Sequence, residues 1–282
     1  MQLIAILAAT LSAGIGSVWL AALMMRLGVR SADDGQAGVG AQHLLSLAAG
    51  ALLATAFMHL LPEAFEGAVE AHVLFPVLLV GLVFFFLLDK AELWHHGHEH
   101  HQGHEAPSQA RDHAHGGHGH AHHHGHGHDH GARSGGWTLL TGDSVHCFGD
   151  GILIASAFMA DLRLGVVAAL SVLAHEVPHH IGDLIVLART GGSRRAALVK
   201  VSLAGAVTPL GGLAGWWLVE HLQAYLPFFL TVASSSFIYV ALADLIPQLQ
   251  KRLGARATVL QVAWLLAGIG LVALASRLAH FH

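Results

Sequence analysis

Nine side chains able to hold a metal ion fall into two short stretches of this chain. Asp143, His146, Cys147 and Asp150 recur at intervals of three and four residues, and so do His175, Glu176, His179, His180 and Asp183. On an α-helix that spacing puts each set along one stripe. Imidazole, thiolate and carboxylate together offer nitrogen, sulfur and oxygen donors suited to Zn2+, with Fe2+, Mn2+, Co2+ and Cd2+ as competitors that donor type excludes poorly. Two blander or different readings compete. A self-satisfied polar network would merely tie two helices together. His175-Glu176-Val177-Pro178-His179 also satisfies H-E-x-x-H, in which two histidines bind Zn2+ and the glutamate activates water. Pro178 inside that pentapeptide, and a second stripe that hydrolysis does not require, argue against a protease, so no catalytic residue or catalytic cofactor is expected.

Composition dictates the elements that must carry these stripes. Of 282 residues, 54% are hydrophobic and 11% charged, against about 25% charged in soluble domains. That balance excludes a water-soluble globule and a chain disordered throughout. With 14 Lys+Arg against 18 Asp+Glu and no basic face, nucleic acid is not expected as a partner. The single Cys147 rules out an internal disulfide framework. Crossing about 30 Å of hydrocarbon takes roughly 20 apolar residues, and eight such runs are present: Leu3 to Leu27, Gln42 to Leu61, His72 to Leu88, Trp137 to Met159, Leu164 to Leu187, Ala197 to Leu218, Leu226 to Ile246 and Ala255 to Ala279. The first lacks a basic n-region and exceeds an h-region of about 7–15 residues, so it reads as a spanning helix, not a signal peptide. The expected fold is an all-α, polytopic membrane protein of eight transmembrane helices.

Each ionisable group near a bilayer centre costs about 2.5–3.5 kcal/mol, so nine in helices 4 and 5 must face protein, water or an ion. At 1.5 Å per residue His146 lies about 14 Å inside from Trp137, and His175 about 17 Å inside from Leu164. Antiparallel helices of that register bring both stripes near the midplane. Pro178 removes one amide donor and displaces the Ala174 carbonyl, while Gly142, Gly149 and Gly151 thin helix 4. Freed carbonyls beside carboxylates suit a cation pathway.

Basic residues set the orientation. With the N-terminus outside, one set of loops holds Arg26, Arg30, Lys90, Arg111, Arg133, Arg189, Arg194, Arg195, Lys200, Lys251, Arg252 and Arg256, and the other only Arg163 and Arg277. Both termini are therefore expected outside, and the segment after helix 3 in the cytoplasm. About His95 to His130 holds 16 of the 26 histidines, densest at His118, His120, His122, His123, His124 and His126. It has no apolar period and cannot bury a core, so it reads as a disordered loop that catches or buffers metal rather than a plain solvated linker. The chain thus divides into 1–94 with helices 1 to 3, 95–135 as the cytoplasmic His-rich loop, 136–188 with helices 4 and 5 and the metal site, and 189–282 with helices 6 to 8. Ala56-Phe57-Met58-His59-Leu60-Leu61-Pro62-Glu63 on helix 2 is echoed by Ala241-Leu242-Ala243-Asp244-Leu245-Ile246-Pro247-Gln248 on helix 7. Five helices apart, the copies cross in opposite directions, which predicts a 3+2+3 inverted repeat around helices 4 and 5, a transporter design.

GDSVHCFGDG at Gly142 to Gly151 resembles the fourth-helix HNxxDG signature of the ZIP (Zrt/Irt-like) divalent-metal transporters, and HEVPHHIGD at His175 to Asp183 resembles their fifth-helix HExPHExGD signature. The helix count, outward termini and His-rich loop extend the resemblance along essentially the whole chain. It implies a binuclear transport site: His146, His175 and His179 for one ion, and Cys147, Asp150 and Glu176, with His179 shared, for its neighbour. It further implies His59 beside the first ion, and Asp143 and Asp183 on the exit path. Cys147 stands where the family usually has Asn and His180 where it often has Glu; a thiolate softens the second site toward Zn2+ or Cd2+.

The expected function is passage of a divalent metal, foremost Zn2+, from outside or periplasm into the cytoplasm, in the cell membrane (inner or plasma). The lipid bilayer and the ion are the expected partners, and a homodimer is an admissible assembly. A metal exporter is the remaining alternative; cation-diffusion exporters resemble six-helix proteins with an appended soluble domain, absent here. Glu63, Glu66 and Glu70, in an outer loop without Lys or Arg, either gather cations at the entrance or form an ordinary solvated turn. The resemblance also suggests that helices 1, 4, 5 and 6 move against helices 2, 3, 7 and 8, with Gly205, Gly211, Gly212 and Gly215 letting backbones slide closely. Because imidazole ligands must shed protons to bind metal, radiolabelled Zn2+ uptake should fall as pH drops through about 6.5; uptake flat from pH 8 to pH 5 would remove the imidazoles from the binding step.

Overall fold

The computed structural model describes residues 2–27, 39–67, 69–97, 135–189, 193–249 and 254–279. These residues are helical throughout, without strands. In chain order the helices are α1 (Gln2–Arg26), α2 (39–66), α3 (Ala71–Gly97), α4 (Gly135–Ala160), α5 (Leu162–Arg189), α6 (Arg194–His221), α7 (226–249) and α8 (Ala255–Ala279). Seven of them are long and apolar enough to cross a membrane. The exception is α4, which has the length, 26 residues, but whose Asp143, His146 and Asp150 dilute its apolar content. Large apolar side chains of α3 and α8 point outward, among them Leu79, Val80, Val259 and Leu266, as they do on helices solvated by lipid.

One residue separates the two helices that carry the polar stripes. Asp161 ends α4 and caps α5, its Oδ1 accepting from the amides of Arg163 at 2.8 Å and Leu164 at 3.2 Å, which satisfies donors left orphaned at a helix start. Gly165 makes the hairpin tight, since a Cβ there would lie 2.2 Å from the Phe158 ring. Counted from Asp161, His146 is 15 residues back and His175 14 residues on, so both sit about 21–23 Å from the turn at 1.5 Å per residue. Asp143 and His179 are each 18 residues away. The hairpin alone therefore puts the two stripes rung against rung.

Three helices contain a wide π turn: Ser12–Gly16 in α1, Ala56–Leu60 in α2 and Val240–Leu245 in α7. The last two precede Pro62 and Pro247, the prolines of the echoed octapeptides. Proline lacks an amide donor and its ring crowds the carbonyl four residues back, and a π turn absorbs that clash without breaking the helix. α6 is interrupted instead at Ala206 and Val207, ahead of Pro209.

Glycine contacts tie the helices into two groups. A Cβ on Gly14 of α1 would lie 2.1 Å from the Gly205 carbonyl of α6, one on Gly151 of α4 would lie 2.1 Å from the Thr208 carbonyl, and one on Gly211 would lie 2.0 Å from the Phe148 carbonyl. The same crowding joins Gly50 to Leu265 and Gly268 to Leu47 between α2 and α8, and Gly81 to Ser235 between α3 and α7. Among the described glycines, every such approach stays within α1, α4, α5 and α6 or within α2, α3, α7 and α8. Gly205, Gly211, Gly212 and Gly215 thus lock α6 to α1 and α4 inside one group and do not line a sliding boundary between groups, which corrects the expectation from sequence. Gly211→Ala should destabilise the protein by about 1–3 kcal/mol, as overpacking against rigid backbone does. Gly270→Ala, with nothing within 4 Å of its Cβ, should be near neutral; equal melting temperatures in detergent would contradict this.

Candidate metal centre

The facing stripes converge into three overlapping groups of donors, each with its ligand atoms within 4.8 Å of one another. The first joins His146, Asp150, His175 and Glu176. His146 Nε2 and His175 Nε2 are each 3.3 Å from Glu176 Oε1, His175 Nε2 is 3.3 Å from Asp150 Oδ2, and the two imidazole nitrogens are 3.4 Å apart. Donors about 2.0–2.1 Å from a tetrahedral Zn2+ stand about 3.3–3.4 Å from each other. The edge from His146 to Asp150 is longer, 3.9 Å. The second group joins Asp143, Cys147, Glu176 and His180. Cys147 Sγ is 3.7 Å from both Asp143 Oδ1 and Glu176 Oε2, and His180 Nε2 is 3.2 Å from Glu176 Oε2 and 3.8 Å from Asp143 Oδ1. The third joins Asp143, His179 and Asp183, with His179 Nε2 3.9 Å from Asp143 and 3.7 Å from Asp183. Glu176 gives one oxygen to each of the first two groups.

Two serines fix how the imidazoles point. Ser17 of α1 donates its hydroxyl proton to the Gly14 carbonyl at 2.6 Å, so its oxygen accepts from His180 Nδ1 at 2.9 Å. His175 Nδ1 in turn donates to the Ser171 carbonyl at 3.3 Å, and the Ser171 hydroxyl meets Thr55 of α2 at 2.6 Å. With Nδ1 carrying the proton, each Nε2 presents a lone pair to carboxylate oxygens, a contact that only a proton or a metal cation between them makes favourable. Asp143 Oδ2, Asp150 Oδ2, Glu176 Oε1, His180 Nε2 and Asp183 Oδ2 are all buried without a hydrogen-bond partner. Ser17, Ser171 and Thr55 were not legible in the sequence, because a hydroxyl residue in an apolar helix most often bonds its own backbone.

The groups differ in access. A cavity of about 160 Å3 reaches Asp143, His146, His175 and His179 from the side of Leu45, Leu88 and Leu245. The side chains of His146 and His179 are 28% and 39% exposed, those of His175, Asp150 and Glu176 at most 3%. Beyond the first group, Leu52, Leu60, Phe158, Val172, Leu230 and Phe237 pack solidly into the core.

All nine stripe residues therefore meet, but in groupings other than the resemblance implies. His179 falls with Asp143 and Asp183 instead of His146 and His175, and Asp150 falls with the two histidines instead of Cys147. His59 lies on the π turn of α2 and belongs to none of the three groups. His118, His120, His122, His123, His124 and His126 lie outside the described residues. Nor does the zincin arrangement form: its two histidines share one ion, whereas His175 and His179 are in different groups, and Glu176 is enclosed among His146, His175 and His180.

A donor set of N, O and S atoms buried in a bundle of membrane-length helices defines a multi-pass membrane protein that handles metal ions. A family model described as ZIP Zinc transporter matches residues 1–276, and the chain belongs to that family, one of transporters and not of enzymes. It is 29% identical over 161 residues to Zinc transporter ZIP10 of Homo sapiens, covering 57% of this chain and 18% of that protein. It is 36% identical over 115 residues to Zinc transporter ZIP4 of Homo sapiens, covering 41% and 18%. With Zinc transporter SLC39A7 of Rattus norvegicus the identity is 30% over 309 aligned positions, covering 84% and 65%. The chain thus spans less than two thirds of the length of each of these relatives. Since Glu176 touches two groups and Asp150 one, Glu176→Gln should lower the Zn2+ stoichiometry of purified protein more than Asp150→Asn; equal losses would mean that Glu176 does not bridge.

Proposed function

We propose that this protein carries divalent metal, foremost Zn2+, from outside or periplasm into the cytoplasm, through the group of His146, Asp150, His175 and Glu176. The observation that carries the reading is the near-tetrahedral spacing of these donors at the head of a one-sided cavity. Fe2+, Mn2+, Co2+ and Cd2+ are admissible competitors. The zinc transport named in its relatives favours the first choice. The site is binuclear, with Glu176 bridging the cargo ion and a second ion held by Cys147. Asp143, His179 and Asp183 receive the ion on its way out, Asp143 and His179 from the wall of the cavity.

All eight helices cross the bilayer, α4 included, because its polar stripe is enclosed by protein and costs nothing against lipid. With twelve of the fourteen Lys and Arg residues in one set of loops, the charge bias supports both termini outside and the cavity toward the cytoplasm. The 3+2+3 inverted repeat is supported by paired features. α2 and α7 have a π turn before an equivalent proline, and α3 packs on α7 as α8 packs on α2. The two glycine-locked groups support motion of α1, α4, α5 and α6 as one body against α2, α3, α7 and α8. The His-rich loop buffers the arriving ion, and a homodimer is compatible with the exposed faces of α3 and α8.

Zn2+ content of cells expressing the protein separates import, which raises it, from export, which lowers it. His175→Ala should abolish uptake and lower metal bound by the purified protein, while deletion of His95 to His130 should leave midplane binding intact. Binding that survives His175→Ala but disappears with the loop would reduce the protein to a surface metal trap.

A further inference from the structure

Hydroxyl side chains in apolar helices commonly bond to a carbonyl one turn back, as those of Thr10, Ser46, Ser144, Ser156, Thr231 and Ser234 do. Thr55 of α2 and Ser171 of α5 turn to each other instead. Their hydroxyl oxygens are 2.6 Å apart although the residues are 116 positions apart in the chain, and the two side chains are enclosed, at 0% and 1% exposure. The pair crosses the boundary between the two glycine-locked groups, with α2 in one and α5 in the other.

Its surroundings make this hydrogen bond the contact that fixes the register of the seam. Ala51 and Ala54 of α2 and Val167 of α5 pack there as small apolar side chains, and apolar contact has no preferred direction. A hydrogen bond does. Starting from 2.6 Å, a relative shift of about 1 Å between α2 and α5 takes it past the roughly 3.5 Å at which such a bond is lost. Among the described glycines, none braces α2 against α5.

The pair also stands at the closed end of the metal site. Ser171 lies one helical turn before His175, about 6 Å along α5 toward the turn at Asp161, and its carbonyl accepts from His175 Nδ1 at 3.3 Å. Leu52, Leu60, Val172 and Phe237 fill that end, whereas the cavity opens on the other. Thr55 immediately precedes the π turn Ala56–Leu60, where α2 leaves regular helical geometry.

We propose that the hydrogen bond between Thr55 and Ser171 is a latch between the two helix groups: formed, it holds α2 against α5 across the closed end of the site, and broken, it lets that end open to an ion. Thr55 and Ser171 are thus positioning residues that act through helix separation, not ligands. The proposal rests on the transport reading for what the opening admits; the latch itself is tested without transport.

In the purified full chain in detergent, maleimide labelling of Leu60→Cys, a position 0% exposed in the packed end, reports opening, and the same chains without that substitution give the background from Cys147. Thr55→Val, which removes the hydroxyl and keeps the shape, and Ser171→Ala should each raise the labelling rate about tenfold, because the surviving hydroxyl is left buried without its partner. Thr55→Ser should keep the reference rate. Combining Thr55→Val with Ser171→Ala should bring the rate back toward the reference, since removing both partners is nearly neutral, whereas independent packing defects would add. Circular dichroism and melting temperature identify a variant that fails to fold, and the other single variant then carries the readout. Single variants that label at the reference rate, Thr55→Ser labelling as fast as Thr55→Val, or a double variant faster than either single one overturns the latch. Radiolabelled Zn2+ uptake in proteoliposomes keeps the two readings apart: the expected labelling pattern without uptake sinks transport alone, and uptake with labelling indifferent to Thr55 and Ser171 sinks the latch alone.

Discussion

Buried negative charge without enough protons to neutralise it is the constraint on which this molecule depends. Asp143, Asp150, Glu176 and Asp183 each have an oxygen enclosed with no hydrogen-bond partner. Each ion taken from water into a low-dielectric interior costs several kcal/mol even after relaxation, against a net stability of about 5–15 kcal/mol for a whole domain. Four such groups cannot remain charged side by side on their own. Cations must enter: as protons on the imidazoles, or as dications at the points where Nε2 and carboxylate lone pairs converge.

The rest of the fold keeps those donors in one place. A one-residue link capped by Asp161 fixes the register of α4 against α5, so rungs of donors meet at a common depth. α1 supplies Ser17 to one histidine, and through Ser171 the α2 residue Thr55 stands behind another. Solid packing around Phe158 and Phe237 closes one end while the cavity at Leu45 and Leu245 leaves the other accessible. Backbone contacts that only glycine permits bind α4 to α6 and α6 to α1, which keeps the donors on a single framework.

Much of this was legible beforehand for a simple reason: lipid is an unforgiving solvent. Apolar runs of fixed length, polar residues at helical spacing and the side on which Arg and Lys collect are each imposed by the bilayer, so they survive in the sequence as patterns. The echoed octapeptides containing Pro62 and Pro247 likewise correspond to two π turns, because a proline in a long helix demands local relief. Less was legible about partners. Helical spacing assigns residues to a stripe but does not say which rung of the opposite helix they meet, and for that reason Asp150 and His179 fall in other groups than the motif resemblance implied.

By itself the sequence determined the helices, the two stripes and the donor types, since hydrophobicity and periodicity act locally along the chain. Tertiary structure decided which donors share an ion position, that Cys147 and His180 meet although they are 33 residues apart, and that Gly211 and its neighbours lock helices together instead of letting them slide. These outcomes depend on helix rotation and on distances of a few tenths of an ångström between segments remote in sequence, which no local pattern encodes.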